Sequence, residues 1–196
     1  MDIHLIPNSP HPASAGSGGR HRLRWLDPQG RIQEAACVIG RGGVIADKRE
    51  GDGGTPVGCF PLRRVLYRPD RTPAPVTALP LAAIAPTDGW CDDPGHAAYN
   101  RPVTLPFPAS HEVMWRDDHV YDIVVVLGHN DDPPVPGLGS AIFMHLTRPD
   151  RAATAGCTAL EAEDLRRLLS HCRPGDRLCV PSPGTLPATL PPQDTP

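Results

Sequence analysis

Apolar and polar positions alternate over short stretches along most of this chain, which predicts many short half-buried strands. Ile3 and Leu5 flank a polar His4 and predict a first edge strand. His21–Leu26 and Arg31–Ile39 predict two strands around Asp27-Pro28-Gln29-Gly30, where proline at i+1 and glycine at i+3 mark a type I turn. Phe60–Tyr67 resumes the strand pattern. Tyr121–Leu127 is a continuous apolar run and predicts a strand buried on both faces. Ala141–Leu146 predicts another, with Ala141, Phe143 and His145 on one face and Ile142, Met144 and Leu146 on the other. Only one stretch has the helical period. Leu165, Leu168, Leu169 and Cys172 form an i, i+3, i+4, i+7 stripe. Glu161, Glu163 and Asp164 stand near its start and His171 and Arg173 near its end, the polarity a helix dipole favours. Pro174-Gly175 stops it, and Arg177–Val180 predicts a closing strand.

Between these elements the chain is rich in breakers. Residues 7–19 predict a loop, and 50–58 hold too much glycine for a regular element. Residues 69–110 predict a long ordered excursion carrying Trp90, Tyr99 and Asn100, and excursions of that length are usually functional. Composition agrees. With 26 prolines and 19 glycines among 196 residues the chain cannot be mostly helical, so a mainly β fold is expected. Hydrophobic content of 39% and charged content of 21% fit a folded domain. One catalytic unit over residues 1–182 and a flexible tail over 183–196 are expected.

A net charge of −3 with scattered basic residues gives no nucleic-acid footprint. No apolar run approaches the roughly 18 residues of a membrane span. The start shows no basic region followed by an apolar one, so no signal peptide is read there. The cysteines at 37, 59, 91, 157, 172 and 179 form no CxxC pair, and most are expected to act as small buried hydrophobes. His129, Asp131, Asp132 and His145 have no recognisable metal-ligand spacing, so neither a metal nor another cofactor is expected.

The chemistry concentrates in His145-Leu-Thr-Arg-Pro-Asp-Arg-Ala-Ala-Thr154-Ala155-Gly156-Cys157. A histidine ends a buried strand, and a loop then leads to a cysteine expected directly ahead of the helix. Glycine before the cysteine lets the backbone turn sharply and bring N–H groups to a reacting carbonyl. A helix N-terminus would lower the thiol pKa, and a nearby imidazole could take the thiol proton. These residues alone fit equally well a buried cysteine beside a histidine bonded to a backbone carbonyl. Leu127-Gly-His129-Asn130-Asp131-Asp132 predicts a rigid polar loop, either an Asx-type turn or a substrate contact through His129 or Asn130. Trp90, Tyr99 and Asn100, with Asp92 and Arg101, suit either loop packing or the wall of a peptide groove.

Thr154-x-Gly156-Cys157 preceded by His145 resembles the signature of the YkuD-type L,D-transpeptidase catalytic domain. Asp52-Gly-Gly-Thr55-Pro56-Val-Gly58-Cys-Phe60 resembles that family's Asp-x-x-Thr-Pro-x-Gly-x-Phe stretch, and Pro174–Val180 its last turn and strand. The resemblance implies a β-sandwich with one or two short helices and long Pro-rich loops. It implies Cys157 as nucleophile, His145 as general base oriented by a backbone carbonyl, and the N–H groups of Ala155, Gly156 and Cys157 as oxyanion hole, with Thr154 beside the substrate. The implied reaction attacks an amide of a peptidoglycan stem peptide and forms a thioester. A second stem, a D-amino acid or water resolves it, giving 3-3 or 1-3 cross-links, exchange or hydrolysis. Carbapenems are implied inhibitors, and the bacterial envelope is the implied location, the cytoplasm being the alternative. A hydrolytic carboxypeptidase or amidase and a non-catalytic wall-binding module are the competing functions. Leu146 and Ala159 stand where the family has glycine and arginine, which sets this chain apart in donor recognition.

Overall fold

Short alternating stretches become short strands, and long-range pairing joins most of them into a principal sheet that closes on itself. The computed structural model describes residues 1–7 and 21–185. The expected loop at 7–19 and most of the expected C-terminal tail lie outside the described residues. In chain order the strands begin with β1 (Asp2–Ile6), β2 (His21–Leu26), β3 (Ile32–Val38), β4 (Val44–Ile45) and β5 (Thr55–Pro56). Next come β6 (Gly58–Tyr67), β7 (Leu81–Ala83), β8 (Asp88–Cys91), β9 (Pro102–Thr104) and β10 (His111–Val113). The last are β11 (Ile123–Leu127), β12 (Phe143–Leu146), β13 (Thr158–Leu160) and β14 (Arg177–Val180). The fold is mainly β, with one α-helix, α1 (Ala162–His171), among the described residues.

The principal sheet runs β11-β12-β13-β3-β2-β1-β14-β6-β7, and β11 also pairs with β6. Strand β6 can bond both neighbours because it is long. Residues 58–61 pair with β14, and 62–67 pair with β11 across a register shift at Val126/Leu127. Closure removes two exposed sheet edges. Ile3, Leu5, Leu23, Trp25, Ile123, Val125 and Leu178 fill the interior with the Leu165, Leu168 and Leu169 stripe of α1. Glu163 and Asp164 occupy the first helical turn and His171 the last; Trp25 donates its ring N–H to Nδ1 of His171 at 3.1 Å.

The unbroken apolar run of β11 has a plain cause. Ile123, Val125 and Leu127 face the interior, while Val124 and Val126 face a second apolar cluster on the outside of the sheet. That cluster also holds Ile84, Trp90, Met114, Tyr121, Phe143 and Cys157, so it is roofed largely by the excursion. The excursion contributes strands of its own: β7 extends the principal sheet, and β8 and β9 join β10 in a three-stranded sheet ordered β10-β8-β9.

One expectation needs correction. Residues 158–160 form β13, parallel to β12 and antiparallel to β3, so Cys157 lies ahead of a strand and not at a helix N-terminus. The buried triplet Thr158-Ala159-Leu160 is too short for a helix turn before Glu161 caps α1. Most of the cysteines are small buried hydrophobes, as expected. Cys59 on β6 and Cys179 on β14 stand opposite each other and form a disulfide, whereas Cys37, Cys91, Cys157 and Cys172 are free and buried.

Candidate active site

The glycine-rich segment at 51–58 and the loop ahead of Cys157 meet backbone to backbone. Gly40 forms a bridge with Thr154, tied by Arg41 N–H to Thr154 O at 2.9 Å and Thr154 N–H to Ile39 O at 3.0 Å. A Cβ on Gly40 would fall 2.3 Å from the Gly53 carbonyl oxygen and 3.0 Å from Gly156 Cα. Gly156 has φ +144°, and a Cβ there would come 2.9 Å from Gly54 O. Side chains are excluded from this layer by simple overlap. Thr55 bolts it together: its hydroxyl accepts the Gly40 N–H at 2.9 Å and donates to Gly156 O at 2.8 Å. Asp52 holds the approach, accepting N–H groups of Gly54 and Arg49 and the Lys48 ammonium.

Thr55 therefore satisfies two buried backbone groups with one hydroxyl. Thr55→Val keeps the shape and leaves both unpaired, at about 1–3 kcal/mol for each stranded group. The variant should lose about 2 kcal/mol or more of unfolding free energy. Cys157 alkylation should change with it because Gly156 is released, while Thr55→Ser stays close to wild type. Denaturant titration and thiol-labelling rates check both; an unchanged midpoint in Thr55→Val would refute the bolt.

Above this floor sits Cys157, buried. Its Sγ lies 3.3 Å from Ala141 O, to which it donates, and accepts the Phe143 N–H at 3.4 Å. Ala141 reaches that position with φ +50°. Burial pushes the thiol pKa up to about 12, against a small opposing pull from the Phe143 N–H. His145 lies on β12 directly beside Ala159 of β13. Its Nδ1 is 2.9 Å from Leu146 O. A carbonyl only accepts, so Nδ1 carries the proton and Nε2 is left as the basic nitrogen. Burial lowers the imidazole pKa to about 4, with Arg116 and Arg148 adding to the effect and the Leu146 carbonyl opposing it. The Tyr121 ring meets it edge-on at 5.4 Å. Near neutral pH the two groups are thus a thiol and a neutral imidazole, not an ion pair.

Both open into one cleft with two lobes. The first, about 320 Å³, is lined by His145, Tyr121, Arg116, Arg148 and Ala159, and the second, about 190 Å³, by Lys48, Glu50, Asp92, Ser140 and Ile142. Arg41, Glu112, Ala155 and Cys157 belong to both.

Of the oxyanion donors expected from sequence, the Gly156 N–H is occupied, donating to Thr154 Oγ1 at 3.1 Å. The N–H groups of Ala155 and Cys157 make no backbone hydrogen bond among the described residues. Thr154 lines the first lobe but spends its hydroxyl on the loop itself, donating to Cys157 O at 2.6 Å. The remaining expected contacts turn inward. Asn100 accepts from the Trp90 ring N–H and the Ala141 N–H and donates to the carbonyls of His129 and Asn130. Tyr99 OH donates to Glu50 at 2.5 Å. His129 bonds Leu138 O through Nε2 and lies edge-on to Phe60. Asn130 bonds Val135 and Gly139. Trp90, Tyr99, Asn100, His129 and Asn130 do not line either lobe at Cys157. Asn100, His129 and Asn130 hold the loop that presents Ala141, and Trp90 and Asn100 line another cavity of about 430 Å³.

Sequence reasoning missed Arg41, Glu112, Arg116 and Arg148, which long-range folding brings to the cleft and no local spacing announces. It also gave no role to Thr55, although the Thr-Pro motif pointed there. No group of three or more His, Cys, Asp or Glu among the described residues could hold a metal ion, and no described helix is long and apolar enough to cross a membrane.

Comparison with curated proteins and with solved structures returns no match. Comparison with protein families returns one: the model of the YkuD family, described as the L,D-transpeptidase catalytic domain, matches residues 17–181. That span takes in the glycine layer, Thr55, His145, Cys157 and the closing strand. The chain belongs to the YkuD family of L,D-transpeptidase catalytic domains.

Proposed function

We propose that this chain is a cysteine-dependent L,D-transpeptidase that cross-links peptidoglycan stem peptides through a thioester on Cys157. The observation that carries the reading is a thiol and a neutral imidazole facing one cleft lobe, with Nδ1 of His145 committed to Leu146 O. As Sγ attacks the stem amide carbonyl, the S–C bond forms and the thiol proton passes to Nε2 of His145. The carbonyl oxygen takes the displaced electron pair, and the N–H groups of Ala155 and Cys157 are its donors. Collapse breaks the C–N bond, and the proton on Nε2 leaves with the amine. An acceptor amine then attacks the thioester, gives a proton through Nε2 to Sγ and restores the thiol. Burial of both groups makes proton transfer simultaneous with attack, because a free thiolate is disfavoured at a pKa of about 12. Thr154 acts by positioning: its hydroxyl fixes the Gly156 and Cys157 backbone.

The Cys59–Cys179 disulfide favours an envelope location over the cytoplasm, since structural disulfides persist mainly outside the reducing cytoplasm. A carbapenem should add one molecule to the wild type by intact mass spectrometry and none to Cys157→Ala. Incubation with muropeptides should give new dimers; shortened stems alone would assign the hydrolytic reaction, and no adduct would sink the nucleophile assignment.

A further inference from the structure

The cavity of about 430 Å³ that Trp90 and Asn100 line carries more positive charge than its wall answers. It holds three guanidiniums, Arg63, Arg64 and Arg101, and one carboxylate, Asp131. Asp131 is already taken, because Arg63 grips both its oxygens at 2.8 and 3.2 Å. Arg101 donates from Nη1 to the Asp131 backbone carbonyl at 2.5 Å, an acceptor without net charge. Arg64 lies over the Trp90 ring, with Cζ 5.8 Å from the ring centroid. Its Nε is shut off from solvent and has no hydrogen-bond partner among the described residues, an arrangement that costs free energy. Stacking occupies the face of a guanidinium and leaves its N–H groups available in the plane. Arg64 and Arg101 therefore stand in one cavity with no carboxylate of its wall to pair with.

The backbone brings the arginines together. Val126 pairs with Arg64 and Leu127 with Leu62, so Arg63 is an extra residue in a β-bulge. Neighbours in a regular strand point to opposite faces, and the bulge lets Arg63 and Arg64 reach the same cavity. Arg64 shares the outer face of the sheet with its partner Val126, which belongs to the cluster of Trp90 and Phe143. Trp90, Val126 and Phe143 are buried and give the cavity an apolar side. An apolar hollow of this size with a few convergent polar groups is the common form of a small-molecule site.

We propose that this cavity binds a small amphipathic anion, its carboxylate or phosphate held by Arg64 and Arg101 and its apolar body laid against Trp90, Val126 and Phe143. An anionic oxygen in the plane of Arg64 gives Nε the acceptor it lacks, and charge-assisted bonds of this kind are the strong ones. The site does not depend on the acyl-transfer reading. It shares one wall with the catalytic cleft, since Ile142 lines both this cavity and the smaller lobe at Cys157.

The test titrates the nitrogen-15-labelled full chain with benzoate, phenyl phosphate and benzyl alcohol at fixed ionic strength. The reporter is the Trp90 indole N–H signal, whose group donates to Asn100 Oδ1 at the cavity. At least one anion should bind about tenfold more tightly than the alcohol, and the tighter anion identifies the oxygen group. Arg64→Gln and Arg101→Gln should each weaken that binding about tenfold. Arg41→Gln, in the catalytic cleft, should leave it unchanged. Arg101 is exposed, so its variant reports on the site even where Arg64→Gln fails to fold. No shift of the Trp90 signal, equal affinity for alcohol and anions, or binding that survives Arg101→Gln overturns the proposal. Binding lost in Arg41→Gln overturns it as well, by placing the anion at Cys157.

Discussion

His145→Ala should slow acylation of Cys157 by about 10²- to 10⁴-fold, the usual contribution of a positioned general base. The size follows from the buried state of the pair. With the thiol pKa at about 12, spontaneous thiolate is scarce at neutral pH, so little reaction remains when the acceptor of its proton is gone. An exposed thiol would lose much less. The pH profile gives an independent signature. In the proposed reaction His145 acts in its neutral form, and its pKa is held at about 4. Acylation should therefore stay nearly level from pH 8 down to 5 and reach half its plateau near pH 4. A half-fall near 6.5 would mean a hydrated imidazole, and a loss under tenfold in His145→Ala would remove the base assignment. Stability shifts with the same sign. An unfolded chain protonates this histidine near its ordinary value of 6.5 and the folded one near 4, so falling pH between those values favours unfolding. The contribution is fully present above 6.5 and is lost as pH falls through 4, so acid rates belong to brief pH jumps.

The second large effect concerns the sheet closure. Cys59 and Cys179 are separated by 120 residues, and the bond joins β14 to the half of β6 that precedes its pairing with β11. Closing a loop of that length limits the unfolded chain by roughly 4–5 kcal/mol in the chain-entropy account. The Cys59→Ser, Cys179→Ser double variant should lose about 3–5 kcal/mol by denaturant titration. Reductant should move the wild-type midpoint to match the variant and leave the variant unmoved. A wild-type midpoint indifferent to reductant would show that the bond does not form, and the argument for an envelope location would fall with it.

The strands and the helix were legible because each follows a local period: alternation in β1 and β2, an unbroken apolar run in β11, a 3.6-residue stripe in α1. The family was legible for a different reason, the ordered motifs around His145 and Cys157. What misled was the short apolar triplet 158–160, whose length suits either a strand or the first turn of a helix. Only pairing with β12 and β3 decides it, and pairing is not written locally. The same limit explains the cleft walls. Arg41, Glu112 and Arg148 come from segments far apart in sequence, whereas Trp90, Tyr99 and Asn100 had the right chemistry for a groove. Their polar atoms found nearer partners in the scaffold, a competition that residue type alone cannot reveal. Cys59 and Cys179 likewise meet only because β6 and β14 are neighbours.

Strand β11 divides the consequences of mutation by parity. Ile123, Val125 and Leu127 belong to the interior, so trimming them taxes the yield of folded protein. Val124 and Val126 belong to the cluster that backs Cys157 and Tyr121 and are just as buried, so trimming them costs stability too and in addition loosens the wall behind Cys157. All five positions thus share a cost in folding, and the even ones add a disturbance beside Cys157.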